Sequence, residues 1–170
     1  LVGEFNISNL IGAIAVAIYM EVPMERICNA VAKIEQVEHR LSVKHVPGGI
    51  TIIDDAFNSN PDGSRMALEV LASMKDGKRI VITPGMIELG DKQYEYNEIF
   101  GGRIASSVDI AIIVGQYNRD AILSGLRDAG MDEKNVYAVD TFNDAQAVLA
   151  RVSAPGDAVL YEHDLPHTFH

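Results

Sequence analysis

Five short runs of aliphatic and β-branched residues recur at nearly even spacing from residue 50 onward, and a helix-forming stretch separates each from the next. The runs are residues 50–55 (ITIIDD), 79–83 (RIVIT), 109–115 (DIAIIVG), 135–139 (NVYAV) and 157–161 (DAVLY). Between them, residues 61–74, 96–106, 119–129 and 143–152 place apolar side chains at the helical period, with Ala67, Leu68, Leu71 and Met74 expected to face inward. Strands apolar along their whole length must be covered on both faces, and strands that alternate with helices pair in parallel. The pattern predicts an α/β domain with a doubly wound, mostly parallel sheet of five strands. Right-handed crossovers then bring every strand's carboxyl end to one edge, where ligands of such sheets bind.

The first third of the chain reads differently. From residue 9 to about residue 34, Leu10, Ile14, Ala17 and Ile18, then Ile27, Val31 and Ile34, follow a helical stripe, with Pro23 placed to open a second helix. A helical hairpin this small has no core of its own, so its apolar face is expected to rest on something else. The apolar run at residues 10–20 is shorter than the roughly 20 residues that span a bilayer, and no basic segment precedes it. The opening at Leu1, with no start methionine, suggests a segment of a longer polypeptide. His45 to Gly49 (HVPGG) reads as a turn.

Charge and cysteine usage narrow the partners. Fourteen Lys and Arg stand against 24 Asp and Glu, a formal charge of −10, which repels nucleic-acid backbones and anionic lipid. The single cysteine, Cys28, allows no intramolecular disulfide; a reducing, cytoplasmic setting fits, with Cys28 expected in core packing.

The segments after the strands carry the candidate chemistry. The first, Asp54-Asp55-Ala56-Phe57-Asn58-Ser59-Asn60-Pro61-Asp62, ends a buried strand in two carboxylates and supplies an N-cap and first-turn proline for the next helix. A helix start of this kind offers N–H groups to a phosphate or carboxylate, and Asp55 can accept hydrogen bonds from a ribose or an amine. Equally, Asp55 and Asn58 can serve only the loop's own backbone. The second segment, Pro84 to Gly90 (PGMIELG), has glycines suited to close approach, with Glu88 facing the crevice or the whole forming a plain turn. His39-Arg40 lies between the two parts, where an arginine can clamp phosphate. His163, His167 and His170 cluster in the tail; an exposed tail rather than a metal site is expected, and no metal ligand is assigned. The chain has no G-x-x-x-x-G-K-[ST] loop, no G-x-G-x-x-G after the first strand, no G-x-S-x-G and no paired C-x-x-C, so it holds no self-contained triphosphate site.

Four segments in order resemble the Mur ligases. Leu1-Val2-Gly3-Glu4-Phe5-Asn6-Ile7-Ser8-Asn9 resembles the L-x-G-x-H-N-x-x-N stretch that closes their central ATPase domain. His39-Arg40-Leu41 resembles the link into their C-terminal domain. Residues 54–62 are similar to the D-D-x-Y-N-A-N-P-D motif of the branch that adds D-alanyl-D-alanine to a UDP-N-acetylmuramoyl-tripeptide, and residues 84–90 to its L-G-D-M-x-E-L-G. The resemblance implies residues 1–38 as terminal helices of the ATPase domain and residues 39–170 as a Rossmann-like Mur ligase C-terminal domain. It implies an ATP- and Mg²⁺-dependent amide ligase of peptidoglycan precursor synthesis that passes through an acyl phosphate, this segment alone being inactive. By residue match, Asn6, Asn9, His39, Arg40 and Asp55 would lie near the nucleotide, and Asn58 and Asn60 near substrate. Mg²⁺ ligands are implied in the absent central domain. The implied partners are a UDP-N-acetylmuramoyl peptide, D-alanyl-D-alanine or a similar amine, and the preceding domains.

Departures from the pattern bear on the amine. Phe5 replaces the expected His, Phe57 the usual Tyr, the Asp after Gly85 is missing, and residues 160–166 (LYEHDLP) lack a K-G-S-R-like stretch. Two other readings stand beside the ligase. One is a non-catalytic binding module derived from such a ligase. The other is a receiver-like signalling domain, which needs an Asp ending the third strand and a Lys after the last; Gly115 and Glu162 occupy those regions.

Overall fold

The computed structural model describes residues 4–35, 40–56 and 59–162, with side chains from Ile7 onward. Two helices come first, α1 (Glu4–Tyr19) and α2 (Met24–Val31). Pro23 is the N-cap of α2 rather than its first residue, with extended ψ 134. Leu10, Ile14 and Ala17 form the half-buried stripe of α1, whereas Ile18 and Ile34 are exposed. The helix α2 buries Ile27. Cys28, expected in packing, is exposed. It sits one residue, about 100° around the helix, from the buried Ile27.

The remainder is a six-stranded sheet, one strand more than the alternation predicts. Its strands are β1 (Ser42–Val46), β2 (Ile50–Asp55), β3 (Arg79–Thr83), β4 (Ile110–Val114), β5 (Val136–Val139) and β6 (Ala158–Glu162). The helices α3 (Pro61–Ala72), α4 (Gln93–Ser107), α5 (Arg119–Asp128) and α6 (Phe142–Val152) lie between the parallel strands. The order is β1-β2-β6-β3-β4-β5. The added strand, β1, pairs antiparallel with β2 at the sheet edge, and every other pairing is parallel. Two of its five residues, Lys44 and His45, are exposed, as an edge strand permits and a strand covered on both faces does not.

Topology decides which face each helix covers. Moving outward from β2 through β3 and β4 to β5, the crossovers α3, α4 and α5 fall on one face. There Ala67, Leu68, Leu71, Phe100, Ile104, Ile122 and Leu126 pack on Ile53, Val81, Ala111, Ile113 and Leu160. The return from β5 to β6 reverses direction, so α6 covers the opposite face. Its Ala145 and Leu149 meet Ile80, Ile82, Ile110, Ile112 and Val159. Met74 is half-buried against the first cluster, two residues beyond the end of α3.

The helices α4 and α5 approach backbone to backbone. A Cβ on Gly101 would overlap the Ile122 carbonyl, and one on Gly125 the Glu98 carbonyl. The return strand β6 lies between β2 and β3, so the ends of the first and last strands of the parallel set stand side by side.

Candidate functional site

At that edge the register puts Asp55 of β2 opposite Glu162 of β6, and Asp54 opposite Tyr161. Asp55 is half-buried and its Oδ1 accepts a 2.8 Å hydrogen bond from the backbone N–H of Leu41. Leu41 adopts a left-handed φ of 51°, which turns the chain from Arg40 into β1. Burial pushes the Asp55 carboxyl up to about 6; the Leu41 N–H and the Arg40 cation oppose this, and the Asp54 charge adds to it. The structure thus brings together Arg40 and Asp55, candidates fifteen positions apart in sequence.

Glu162 is the most deeply buried acid of the edge, 1% exposed. Its Oε1 accepts from the Ser59 hydroxyl at 2.5 Å. Burial first, and the Asp55 charge second, push its carboxyl up to about 8. Neither Glu162 nor Ser59 stands among the candidates read from sequence. A carboxylate ending an otherwise apolar strand was the available signal, but its neighbour depends on strand order.

The start of α3 is built as its residues predict, with one consequence for ligands. Asn60 is the N-cap and Pro61 opens the helix. The Asn60 Oδ1 accepts from the backbone of Asp62 at 3.2 Å and of Gly63 at 2.9 Å. These are N–H groups that a phosphate would need, so the expected open anion site at this helix start is taken by Asn60 itself. The Arg103 guanidinium donates to the Pro61 carbonyl at 3.0 Å and adds a cation beside the turn.

After β3, a buried amide cluster holds the next loop. Asn97 accepts from the Met86 N–H at 2.8 Å and donates to the Met86 carbonyl at 3.0 Å. Asn118 donates to the carbonyls of Pro84 and Met86, each at 3.0 Å. Gly85, at φ 83°, lies where a Cβ would strike Asn97 and Asn118. Glu88 projects from this loop, exposed and in the left-handed region at φ 63°. After β4, Arg119 ties two strand ends together, donating to the Gly115 and Val139 carbonyls and pairing with Asp140 at 2.7 Å.

The remaining candidates belong to the first helix or lie outside the described residues. Asn9 is exposed on α1. Asn6 is one turn earlier in the same helix, its side chain outside the described set, as are His39, Asn58 and the three tail histidines. Among the described residues no three acidic, His or Cys side chains gather to hold a metal ion. The donor set fits part of a nucleotide: Asp55 suits a ribose hydroxyl and Arg40 one anionic group. A whole triphosphate against Asp54, Asp55 and Asp62 needs cations from elsewhere.

A mostly parallel six-stranded sheet with helices on both faces, entered through an arginine-bearing link, defines a doubly wound, Rossmann-like α/β domain. The family model described as "Mur ligase, glutamate ligase domain" matches residues 39–161, and the chain belongs to the Mur ligase family. A UDP-N-acetylmuramoyl-tripeptide–D-alanyl-D-alanine ligase of Mycobacterium tuberculosis is 31% identical over 181 residues, covering 93% of this chain and 35% of that protein. A UDP-N-acetylmuramoylalanine–D-glutamate ligase of Lachnoclostridium phytofermentans is 28% identical over 160 residues, covering 94% of this chain and 33% of that protein. In fold, the chain is similar to the UDP-N-acetylmuramoylalanyl-D-glutamyl-2,6-diaminopimelate–D-alanyl-D-alanyl ligase of Acinetobacter baumannii, with a TM-score of 0.80 and 23% identity over 96% of this chain and 34% of that one. It also resembles MurF of Thermotoga maritima in complex with ADP, at TM-score 0.65 and 22% identity over 78% of this chain and 29% of that one. The chain spans about a third of the length of these relatives.

Proposed function

We propose that this chain is the C-terminal part of an ATP-dependent amide ligase of peptidoglycan precursor synthesis, acting in the cytoplasm. In this reading residues 39–170 form the mobile C-terminal domain and residues 1–38 end the ATPase domain. The observation that carries it is the meeting of Arg40 and Asp55 where the link enters the sheet edge. An arginine and a hydrogen-bonding carboxylate at a domain boundary can be delivered together when the domain closes on its partner.

The roles follow from charge and geometry. Arg40 stabilises negative charge that shifts between phosphoryl oxygens as an acyl phosphate forms and an amine displaces phosphate. Asp55 accepts from a ribose hydroxyl, fixing the nucleotide's orientation. ATP supplies the phosphoryl group, and Mg²⁺ offsets phosphate charge through ligands in the preceding domain. His39, Asn6 and Asn9 complete the nucleotide side, while Asn58 and Asn60 face substrate, Asn60 through its Nδ2 because its oxygen caps α3. The exposed apolar side chains of the first two helices, including Ile11, Val16, Tyr19 and Met24, would rest on the rest of the ATPase domain.

The amine in the leading reading is D-alanyl-D-alanine or a similar dipeptide, added to a UDP-N-acetylmuramoyl peptide. The likeness to the D-glutamate-adding enzyme supports a second reading with D-glutamate as the amine. Full-length protein incubated with ATP, Mg²⁺ and each precursor–amine pair separates them: phosphate release with formation of a new amide is expected for one pair. Binding of ATP with no amide formed from any pair would instead favour a non-catalytic module.

A further inference from the structure

The buried pair at the ends of β2 and β6 has chemistry beyond a nucleotide contact. Residues opposite one another on neighbouring strands share a face. Two positions back, Ile53 and Leu160 are fully buried under the three-helix layer. Asp55 and Glu162 therefore stand together over an apolar column. Asp55 has the Leu41 N–H and the Arg40 cation on its side. Glu162 has one hydroxyl, from Ser59, and its Oε2 has no hydrogen-bond partner among the described residues.

Among the described residues, the surrounding elements supply no cation to Glu162. From β2 it meets the Asp55 charge. The neighbouring strand β3 ends in Thr83, whose hydroxyl accepts from the Gly85 N–H. From α3, Ser64 is buried and turned to Met86 and Pro61, while Arg65 pairs with Glu69. A dry carboxylate beside a second negative charge, with one oxygen unbonded, is far less stable than a neutral carboxyl there.

We propose that Glu162 is a proton-holding positioning residue: at neutral pH the facing carboxyls of Asp55 and Glu162 carry one negative charge between them, on Asp55, and the neutral Glu162 anchors Ser59 at the turn into α3. Asp55 ionises first because its charge is the better solvated and hydrogen-bonded of the two. Once Asp55 is charged, loss of the Glu162 proton is opposed both by burial and by its neighbour. The edge thus presents a single, fixed charge to whatever ligand it receives.

Carboxyl ¹³C NMR of the labelled chain across pH 4 to 10 tests this. Asp55 should titrate first and Glu162 second, with Glu162 protonated at pH 7. Asp55→Asn removes the neighbouring charge and should lower the Glu162 midpoint by roughly one pH unit, a tenfold change in proton affinity. Ser59→Ala removes a donor that favours the charged form and should raise it. Glu162→Gln should abolish the second step and leave the first in place. A Glu162 midpoint near its ordinary 4.5, or one unmoved by both Asp55→Asn and Ser59→Ala, overturns the proposal.

Discussion

Replacing Glu162 with Gln removes an ionisable group while keeping its shape, and the sign of the effect on stability follows from the two raised carboxyls. Asp55 goes from 3.8 to about 6 and Glu162 from 4.5 to about 8 on folding. Across that window the folded chain binds more protons than the unfolded one. The stability linked to these groups is therefore complete below about pH 4 and is lost as pH rises toward 8. Glu162→Gln is expected to flatten the decline between pH 4.5 and 8 and to leave the chain more urea-resistant than the parent at pH 8. Equal slopes for parent and variant would contradict this. Asp109 acts in the opposite sense: its hydrogen bonds with Arg79 hold it below the usual range, so its contribution fades only in acid and, being screened by solvent at a half-buried position, is small. At Glu88 the left-handed backbone costs about 1 kcal/mol that glycine avoids, so Glu88→Gly should raise unfolding free energy by about that amount in denaturant titrations. At this scale the sequence is legible where a role is local. The Asn60–Pro61 cap follows from adjacent residues, whereas the Glu162–Ser59 bond joins positions 103 residues apart and needs the strand order before it can be seen.

The tight pairing of α4 and α5 makes its own forecast. Gly125→Ala puts a methyl group into the Glu98 carbonyl and Gly101→Ala puts one into that of Ile122, forcing the helices apart. Each is expected to cost about 2–4 kcal/mol, comparable to severe overpacking. Gly102→Ala is the control. Its Cβ would lie 3.8 Å from the Gly125 carbonyl oxygen, an ordinary contact, so better helix propensity should make it neutral or stabilising by up to about 1 kcal/mol. Thermal unfolding of the three variants would rank them. The sequence shows glycines inside a helix but not their partner surface, because backbone approach between two helices has no periodic signature. The edge strand β1 is hidden for a related reason. Its Val43 and Val46 face inward only in part and Lys44 and His45 point to water, so SVKHV lacks the apolar run that marks the five parallel strands. The turn after it is readable; the strand it closes is not.

For the whole molecule, the parallel α/β architecture is legible because strand and helix periods alternate cleanly, and the position of β6 is not, because nothing in its residues says which neighbours it has. On the proposed role of Arg40, Arg40→Ala in the full-length protein should lower ligation by at least tenfold through loss of phosphoryl-charge stabilisation, read by amide formation at saturating amine. Asp55→Asn should chiefly raise the KM for ATP, since the proposed ribose contact would be made equally before and during the reaction. The placement of β6 has a further consequence for biosynthesis. The central seam of the sheet is supplied by the segment of this domain that leaves the ribosome after all its other strands. Until residues 158–162 emerge, β2 and β3 have a gap between them and two raw edges facing each other. A nascent chain stalled before that point should stay protease-sensitive and prone to capture by chaperones, and should acquire resistance in one step when the seam is filled.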